Sequence, residues 1–233
     1  MKKQFLVLIF IINSIILNAQ YHEMGLFVGG SNYIGDVGSD FYIMPSNSAI
    51  GLVYKWNLTT RHSIRFSAIN SSLKGTDYRT NDLNRFGRAY SFENTINEGS
   101  IGVELNFVDF NLHEEVTSFS PYLYLGVSYF KFNEFYYNSS LIPVAKPIEY
   151  QKGESFSLPI IFGIKTNPSP NYVIGMEIGA RYAFTDNLDG SSPSNALGLD
   201  FLSFGNKNNN DWYIFSGITI SFTFGDLPCY CKE

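Results

Sequence analysis

The chain has 233 residues, of which 45% are hydrophobic, 17% aromatic and only 16% charged, with a formal net charge of −5. A soluble domain usually carries about 25% charged residues, so this composition is poorly suited to a surface that faces water on all sides. An acidic chain without clusters of lysine and arginine also lacks the electrostatic footprint of a nucleic-acid-binding protein.

Residues 1–20 have the three parts of a secretory signal peptide. A short basic start at Lys2 and Lys3 precedes the apolar run FLVLIFIINSIIL, and a small-residue exit precedes Tyr21. The alternative of a membrane-anchoring helix is disfavoured because such a helix needs about 20 apolar residues. No cysteine follows the run to carry a lipid anchor. We therefore expect the chain to be exported and the leader to be removed.

Eight later stretches alternate apolar and polar residues, which is the period of a half-buried β-strand. No stretch shows convincing helical periodicity. The clearest strand is SIGVELNF, residues 100–107, in which every second residue is Ile, Val, Leu or Phe. The eight stretches are 23–28, 49–56, 63–68, 100–107, 123–129, 156–165, 174–182 and 214–224.

The connections between these strands alternate in length. Long, Asn-rich and Ser-rich connections follow the first, third, fifth and seventh strands, whereas the second and sixth end in the tight turns NLTTR and NPSPN. The fourth is followed by the intermediate segment DFNLHEEVTSFS. This is the pattern of an outer-membrane barrel with outward loops and periplasmic turns. We predict an all-β fold, an eight-stranded antiparallel up-and-down transmembrane barrel over residues 21–224, with both termini in the periplasm.

The two faces of the predicted strands indicate which side meets lipid. The polar face is mostly glycine and serine, which suits the narrow interior of an eight-stranded barrel, and the bulky apolar face suits hydrocarbon. Aromatic residues gather at both ends of the apolar face, as expected at the two membrane boundaries. The main alternative is a soluble barrel of the lipocalin kind. The predicted boundary residues are Tyr54, Trp56, Phe107, Phe222 and Phe224 at one end and Tyr129, Tyr182, Phe184 and Trp212 at the other.

Several charged residues fall on the inward face. Arg65 and Glu104 lie at similar depth on adjacent strands, so we predict that they pair, since an unpaired buried charge is costly. We interpret the set as a structural lumen network. A gated pore or a proton path is the alternative, and a porin role is disfavoured because eight strands leave little room for solute. The predicted lumen network is Lys55, Arg65, Glu104, Lys165, Glu177 and Arg181.

The sequence contains no convincing catalytic or metal site. His22, His62 and His113 fall at the predicted periplasmic side and have no metal-ligand spacing. The chain has no G-x-S-x-G elbow and no phosphate-binding loop, and the long loops lack EF-hand spacing. We therefore predict no enzymatic activity, no cofactor and no metal.

Residues 225–233, GDLPCYCKE, extend past the last strand as a predicted periplasmic tail. Cys229 and Cys231 are the only cysteines. A disulfide between them would be strained, because residues two apart lie near the upper limit of disulfide spacing. Pairing with a partner protein, or a small ordered hook without such pairing, are the alternatives.

Two segments, HEMGLFVGGSNYIGDVG (residues 22–38) and the tail GDLPCYCKE, resemble the PorG family of the type IX secretion system. The resemblance implies an outer-membrane barrel without catalysis that supports protein secretion and, in gliding cells, the export of surface adhesins. It also implies two partners in a periplasmic ring, a PorK-like lipoprotein and a PorN-like protein. Outer-membrane lipid is the third expected partner.

The predicted function is therefore a non-catalytic outer-membrane component of a secretion and gliding machinery, which anchors or docks a periplasmic ring. The alternatives are a passive small barrel for surface adhesion or envelope tethering, and a barrel that binds a small ligand in its lumen. The predicted periplasmic partner interface comprises Asp109, His113, Glu114, Glu115, Cys229, Tyr230 and Cys231.

Overall fold

The computed structural model of the protein describes residues 21–38, 44–112, 117–138, 146–169, 171–194, 197–206 and 209–225. The predicted signal peptide, residues 1–20, lies outside the described residues. So do residues 226–233 of the predicted tail.

Eight long β-strands make up most of the described chain. The described parts of the connections contain the short helix α1 (Leu83–Arg88) and the 3₁₀ turns Asp77–Arg79 and Asp200–Leu202. In the part of the chain that the structure describes, no helix is long and apolar enough to cross a membrane. The strands are β1 (Tyr21–Ile34), β2 (Asn47–Asn57), β3 (His62–Thr76), β4 (Ser91–Asn106), β5 (Phe119–Tyr136), β6 (Ile148–Ser169), β7 (Tyr172–Ala183) and β8 (Trp212–Phe224).

Each strand pairs with the next one in the chain, and β8 pairs with β1, so the sheet closes into a barrel. All eight pairings are antiparallel. The predicted eight-stranded antiparallel up-and-down barrel is confirmed. Closure gives each strand a neighbour on both sides, as backbone groups in lipid require, and only strand ends near the long loops, such as residues 148–156 of β6, extend beyond a neighbour.

Several strands are longer than their alternating patterns predict. β4 begins at Ser91, whereas the predicted stretch began at residue 100. The outward residues of this first half, Glu93, Thr95 and Asn97, are exposed and polar. This half therefore lacks the apolar outward face on which the prediction depended. Helix α1 was also not predicted. Asp82 caps it by accepting from the Asn84 N–H at 2.8 Å, and none of its residues is buried.

The interior contains more large side chains than the glycine-and-serine pattern predicts. Rings and branched chains fill the half of the lumen nearest the long loops, and the small residues make room for rings elsewhere. A Cβ at Gly163 would lie 2.4 Å from the Tyr122 ring, so the ring occupies the space that a side chain would need. The buried core cluster includes Phe27, Val53, Ile69, Leu73, Ile96, Phe130, Tyr213 and Phe215.

The outer face carries a continuous apolar belt, which we define as the exposed large apolar residues of the strands. Leu52 is 58% exposed, Phe162 56% and Met176 58%. Exposed apolar area on this scale is a lipid or partner contact and not a water-facing surface. The belt includes Met24, Leu26, Val28, Ile50, Leu52, Phe66, Ile101, Val103, Leu125, Val127, Phe156, Leu158, Ile160, Phe162, Ile164, Ile174, Met176, Ile218, Ile220 and Phe222.

Aromatic pairs lie across neighbouring strands at both ends of this belt. At the end with the short turns, the rings of Tyr172 and Phe222 lie 5.6 Å apart. At the end with the long loops, Tyr129 meets Phe156 at 5.5 Å and Tyr182 meets Trp212 at 5.1 Å. Amphipathic rings at two heights are typical of the two boundaries of a membrane.

Candidate functional site: the charged lumen and its two closures

Charged side chains fill the half of the lumen nearest the short turns and reach its centre. Four acids and four bases are buried there, so the formal charges of this group cancel. All eight are at most 7% exposed. We call this group the lumen network, and it consists of Glu23, Lys55, Arg65, Glu98, Glu104, Lys165, Glu177 and Arg181.

Glu104 is the centre of the network and receives three cations. Lys55 Nζ donates to its Oε1 at 2.9 Å and Lys165 Nζ donates to the same oxygen at 2.7 Å. Arg65 Nη1 lies 3.6 Å from its Oε2. The three cations come from β2, β6 and β3, so one carboxylate on β4 ties together strands from both sides of the barrel.

Arg65 makes its principal contact with Glu177 on β7. Its Nη1 and Nη2 donate to the two Glu177 oxygens at 2.7 and 2.8 Å, and Tyr122 Oη donates to Glu177 Oε2 at 2.5 Å. The predicted partner of Arg65 was Glu104, which the structure places as a second, longer contact. A long guanidinium side chain spans a narrow lumen, so depth and strand adjacency alone do not select the partner.

A second group of the network lies deeper, beside the aromatic core. Arg181 Nε donates to Glu98 Oε1 at 3.4 Å, and its Nη1 donates to the Gly179 carbonyl at 2.6 Å. Tyr213 Oη donates to Glu98 Oε2 at 2.6 Å. Of the predicted residues, Arg181 therefore lies apart from Lys55, Arg65, Glu104, Lys165 and Glu177, which meet in one cluster.

Two members of the network were missed from the sequence. Glu23 lies two residues before the inward Gly25, and Glu98 lies two residues before the inward Ser100, so the parity of each strand places both inside. Glu23 Oε2 is 4.0 Å from Lys55 Nζ. The apolar alternation stops at Asn97, which is why the reading of the fourth strand began after Glu98.

The connection between β4 and β5 closes the lumen at the short-turn end. Phe110 and Leu112 are each 4% exposed and pack against Val173. Lys165 Nζ lies 4.8 Å above the Phe110 ring, so the closure also covers the edge of the charged network. The connection is thus held by its apolar residues.

The polar side of this connection faces out. Asp109 is 62% exposed in its side chain and accepts from Arg61 Nε at 2.6 Å. The Arg61 guanidinium and its hydrogen bond lower the pKa of this carboxyl below its ordinary value. Asp109 is the one predicted interface residue that the structure describes. The others, His113, Glu114, Glu115, Cys229, Tyr230 and Cys231, lie outside the described residues.

The long loops close the opposite end, and we call the described part of this closure the loop cap. It consists of residues 35–38, 77–90, 184–194 and 197–206 with Asp211. Arg88 lies inside it, donating to Asp77 Oδ2 at 2.8 Å and to the Asp36 carbonyl at 2.7 Å. The Tyr90 and Tyr137 rings stack 4.2 Å apart beneath Arg88, and Phe204 packs edge-on against both.

The described histidines make local contacts. His22 shares a 2.8 Å hydrogen bond with Tyr54 Oη and stacks on Phe224, and His62 lies 3.1 Å from Thr59 Oγ1. Among the described residues, no group of three or more His, Cys, Asp or Glu side chains is arranged to hold a metal ion. What the lumen offers chemically is a set of paired charges that hold one another in place.

A closed eight-stranded antiparallel barrel with an apolar outer face and a filled, charge-balanced interior defines a small barrel of the outer-membrane type. A family model matches residues 2–233, almost the whole sequence, and the chain belongs to that family, described as a domain of unknown function (DUF6089). Among curated proteins, no sequence matches it.

Several solved outer-membrane structures are similar to this chain. OprG from Pseudomonas aeruginosa is 11% identical with a TM-score of 0.46, over 89% of this chain and 97% of OprG. The N-terminal β-barrel domain of Pseudomonas aeruginosa OprF is 12% identical with a TM-score of 0.43, over 89% and 98% of the two chains. Ail, the attachment invasion locus protein of Yersinia pestis, is 12% identical with a TM-score of 0.41, over 88% and 99%. Likenesses this distant assign no activity to the chain.

Proposed function

We propose that this protein is a non-conducting, non-catalytic anchor in the outer membrane, and that its short-turn end docks a periplasmic protein assembly. The observation that carries the proposal is the filled lumen. From the Phe110 closure, through the lumen network, to the loop cap, inward side chains contact one another across the barrel. A barrel with a filled lumen is a rigid membrane anchor to which other proteins can bind.

The membrane part of the proposal rests on the apolar belt and predicts how the protein behaves in solution. The mature chain should require detergent, because the belt would otherwise meet water. Size-exclusion chromatography with and without detergent tests this. A mature chain that stays monodisperse in plain buffer would contradict insertion and the docking role that depends on it.

The filled lumen predicts that the barrel does not conduct. In planar bilayers, the reconstituted protein should show no steady single-channel conductance at neutral pH. Eight strands leave an interior just wide enough for side chains, and these side chains include the ion pairs of Glu104 and Glu177. Stable open channels would refute the proposal of a non-conducting anchor. Binding of a small ligand in the lumen is less favoured because side chains already fill this space.

The docking part of the proposal rests on what the short-turn end exposes. Phe110 and Leu112 fasten the β4–β5 connection to the barrel, while Asp109 and Arg61 remain on the surface. Strand β8 also ends at Phe224 on this side, so the chain continues into GDLPCYCKE from the same end of the barrel. An anchored connection and a tail on one face together offer a contact surface.

The resemblance to the PorG family supplies the proposed partners. We propose that the short-turn end contacts a ring of PorK-like lipoprotein and PorN-like protein, and that the complex supports type IX secretion and gliding. The proposed interface is Asp109, His113, Glu114, Glu115, Cys229, Tyr230 and Cys231.

Crosslinking mass spectrometry on native outer membranes tests the docking. Deletion of Gly225–Glu233 should leave the barrel inserted and heat-modifiable but lose recovery of the ring proteins. The matched control is the double substitution Leu83→Ser and Phe86→Ser at the long-loop end, which should leave ring recovery intact. Undiminished recovery after the deletion would remove the tail from the interface, and crosslinks confined to the long loops would refute docking at this end.

A second function, adhesion or tethering at the cell surface, is favoured by one observation. Leu83 on α1 is 85% exposed and Phe201 in the β7–β8 loop is 77% exposed, and the exposed Phe86 of α1 packs edge-on against the exposed Tyr78. Several exposed apolar side chains in one region can mark an interaction site. If this function is correct, Leu83→Ser and Phe201→Ser should reduce surface binding while ring recovery is unchanged. Whole-cell binding assays beside the crosslinking experiment separate the two functions.

A further inference from the structure

Aspartate side chains accept hydrogen bonds between different loops of the loop cap and hold these loops together. Val37 N–H, in the β1–β2 loop, donates to Asp189 Oδ2 in the β7–β8 loop at 2.8 Å. In the opposite direction, Asn206 N–H donates to both oxygens of Asp36 at 3.2 and 3.1 Å. The two loops are therefore cross-linked through carboxylates on each side.

Asp189 and Asp211 form the centre of this closure. Both are almost completely buried, at 0% and 1% exposure. Tyr33 Oη on β1 donates to Asp211 Oδ1 and also faces Asp189. The remaining oxygens accept from backbone N–H groups, Leu188 to Asp211 Oδ2 at 2.9 Å and Ser191 to Asp189 Oδ1 at 2.9 Å.

The ion pairs described for this region do not neutralise these two acids. Arg88 is paired with Asp77, and Arg85 donates to the Gly35 carbonyl at 3.2 Å. Two buried carboxylates that face one tyrosine resist double ionisation, because like charges in a low-dielectric site repel and both lose hydration. The titratable and charged groups that face the pair and its neighbour Asp36 are Tyr33 from β1, Asp77 from the 3₁₀ turn, Arg85 and Arg88 from α1, Tyr137 beyond β5, and Asp186 in the β7–β8 loop.

We propose that the described part of the β7–β8 loop, residues 184–194 with Asp211, closes over the barrel mouth as a proton-dependent latch, in which Asp211 holds a proton taken from solvent when the loop closes. The latch releases when that proton is lost. Opening uncovers the rings of Tyr90 and Tyr137, on which Phe204 of the same loop packs, but leaves the lumen network below in place.

The direction of the pH dependence follows from the carboxyl groups of the cap. Burial and the neighbouring Asp189 raise the pKa of Asp211 well above its ordinary value. Burial and the charges of Asp189 and Asp36 raise the pKa of Asp186 to about 7. A carboxyl whose pKa is raised on closure binds a proton more tightly in the closed state. Closure is therefore most stable at acidic pH and weakens as the pH rises from the ordinary carboxyl range through the raised values.

Hydrogen–deuterium exchange of the full mature chain in nanodiscs tests the latch. After correction for intrinsic exchange, protection of residues 184–194 should fall about tenfold or more between pH 5.5 and pH 8.5, since one pKa unit is a tenfold change in the closure equilibrium. Asp211→Asn should reduce the fall in protection to the part that Asp186 contributes, because the amide at position 211 cannot lose a proton. Asp200→Asn is the matched control, since Asp200 is an exposed aspartate of the same loop, and it should keep the wild-type profile.

Two results would overturn the proposal. One is protection of residues 184–194 in the wild type that is constant or rises with pH. The other is an Asp211→Asn protein, shown to be folded by its heat-modifiable migration, that retains the wild-type pH profile. If Asp211→Asn does not fold, the wild-type profile and Asp189→Asn decide the same question.

Discussion

Arg65 on β3 and Glu177 on β7 meet across the width of the lumen, where both Nη atoms of the arginine donate to the two carboxylate oxygens at 2.7 and 2.8 Å. Strands β3 and β7 are not neighbours in the sheet. The pair therefore braces opposite walls of the barrel, and the bidentate geometry is that of a strong charge-assisted contact.

The first prediction concerns this brace. Arg65→Ala should lower the free energy of unfolding by about 3–5 kcal/mol, because it leaves a buried carboxylate without its partner. The exchange Arg65→Glu with Glu177→Arg should recover part of the loss. The exchange Arg65→Glu with Glu104→Arg should recover less, because Glu104 also holds Lys55 and Lys165. Urea unfolding in detergent and heat-modifiability gels measure both.

The control for this brace is the exposed pair Arg61 and Asp109. Arg61→Ala should not change the unfolding midpoint measurably, because water screens both charges. Equal losses for Arg61→Ala and Arg65→Ala would show that burial does not set the strength of these pairs.

The second prediction concerns the charge balance around Glu104. Glu104→Gln leaves two lysines 2.9 and 2.7 Å from an uncharged amide, and should cost about 3–5 kcal/mol of stability. Adding Lys165→Met removes the excess charge and should restore at least half of that loss. A double variant that is as unstable as the sum of its single variants would contradict coupling through charge; urea midpoints of all four proteins provide the comparison.

The third prediction separates the two faces of β4 with two glycines. A Cβ at Gly99 meets no atom within 4 Å, whereas a Cβ at Gly102 would lie 2.2 Å from the Leu125 carbonyl oxygen. Gly99→Leu should therefore insert and fold like the wild type, and Gly102→Leu should fail to reach the heat-modifiable form. Equal folding of both variants would contradict the assignment of the inward face.

The fourth prediction tests lipid contact of the belt. Leu125 is 46% exposed, and Leu125→Arg should lower stability in bilayers by about 2–4 kcal/mol, the range for arginine near the midplane of a barrel. Asn97→Arg is the control, because Asn97 already lies on the polar part of the outer face beside Lys131. Unfolding in lipid vesicles measures both, and a Leu125→Arg protein as stable as the wild type would exclude hydrocarbon contact at this position.

The predicted alternation agrees with the structure in those strand segments whose inward and outward faces differ in polarity. SIGVELNF is a strand whose Ile101 and Val103 face out, and whose Ser100 and Glu104 face in, as its alternation predicts. The apolar outward face is lost in the strand ends beyond the belt, for example at Thr95 and Asn97, which are polar and exposed, while the inward Phe92 and Ile96 are apolar and buried. Helix α1 was missed for a related reason, since a six-residue helix with no buried residue has no apolar face to repeat.

The sequence by itself determined the number of strands and the inward side of Lys55, Arg65, Glu104, Lys165, Glu177 and Arg181, because the two-residue period of a strand is a local property. The alternation of long and short connections predicted the up-and-down barrel. Only the tertiary structure decided that Arg65 pairs with Glu177 and that Phe110 covers the short-turn end of the lumen. It also decided that Asp189 and Asp211 both face Tyr33. These contacts join residues from different strands and loops, and the lengths and directions of long side chains in a narrow space select them. No period along the chain encodes that choice.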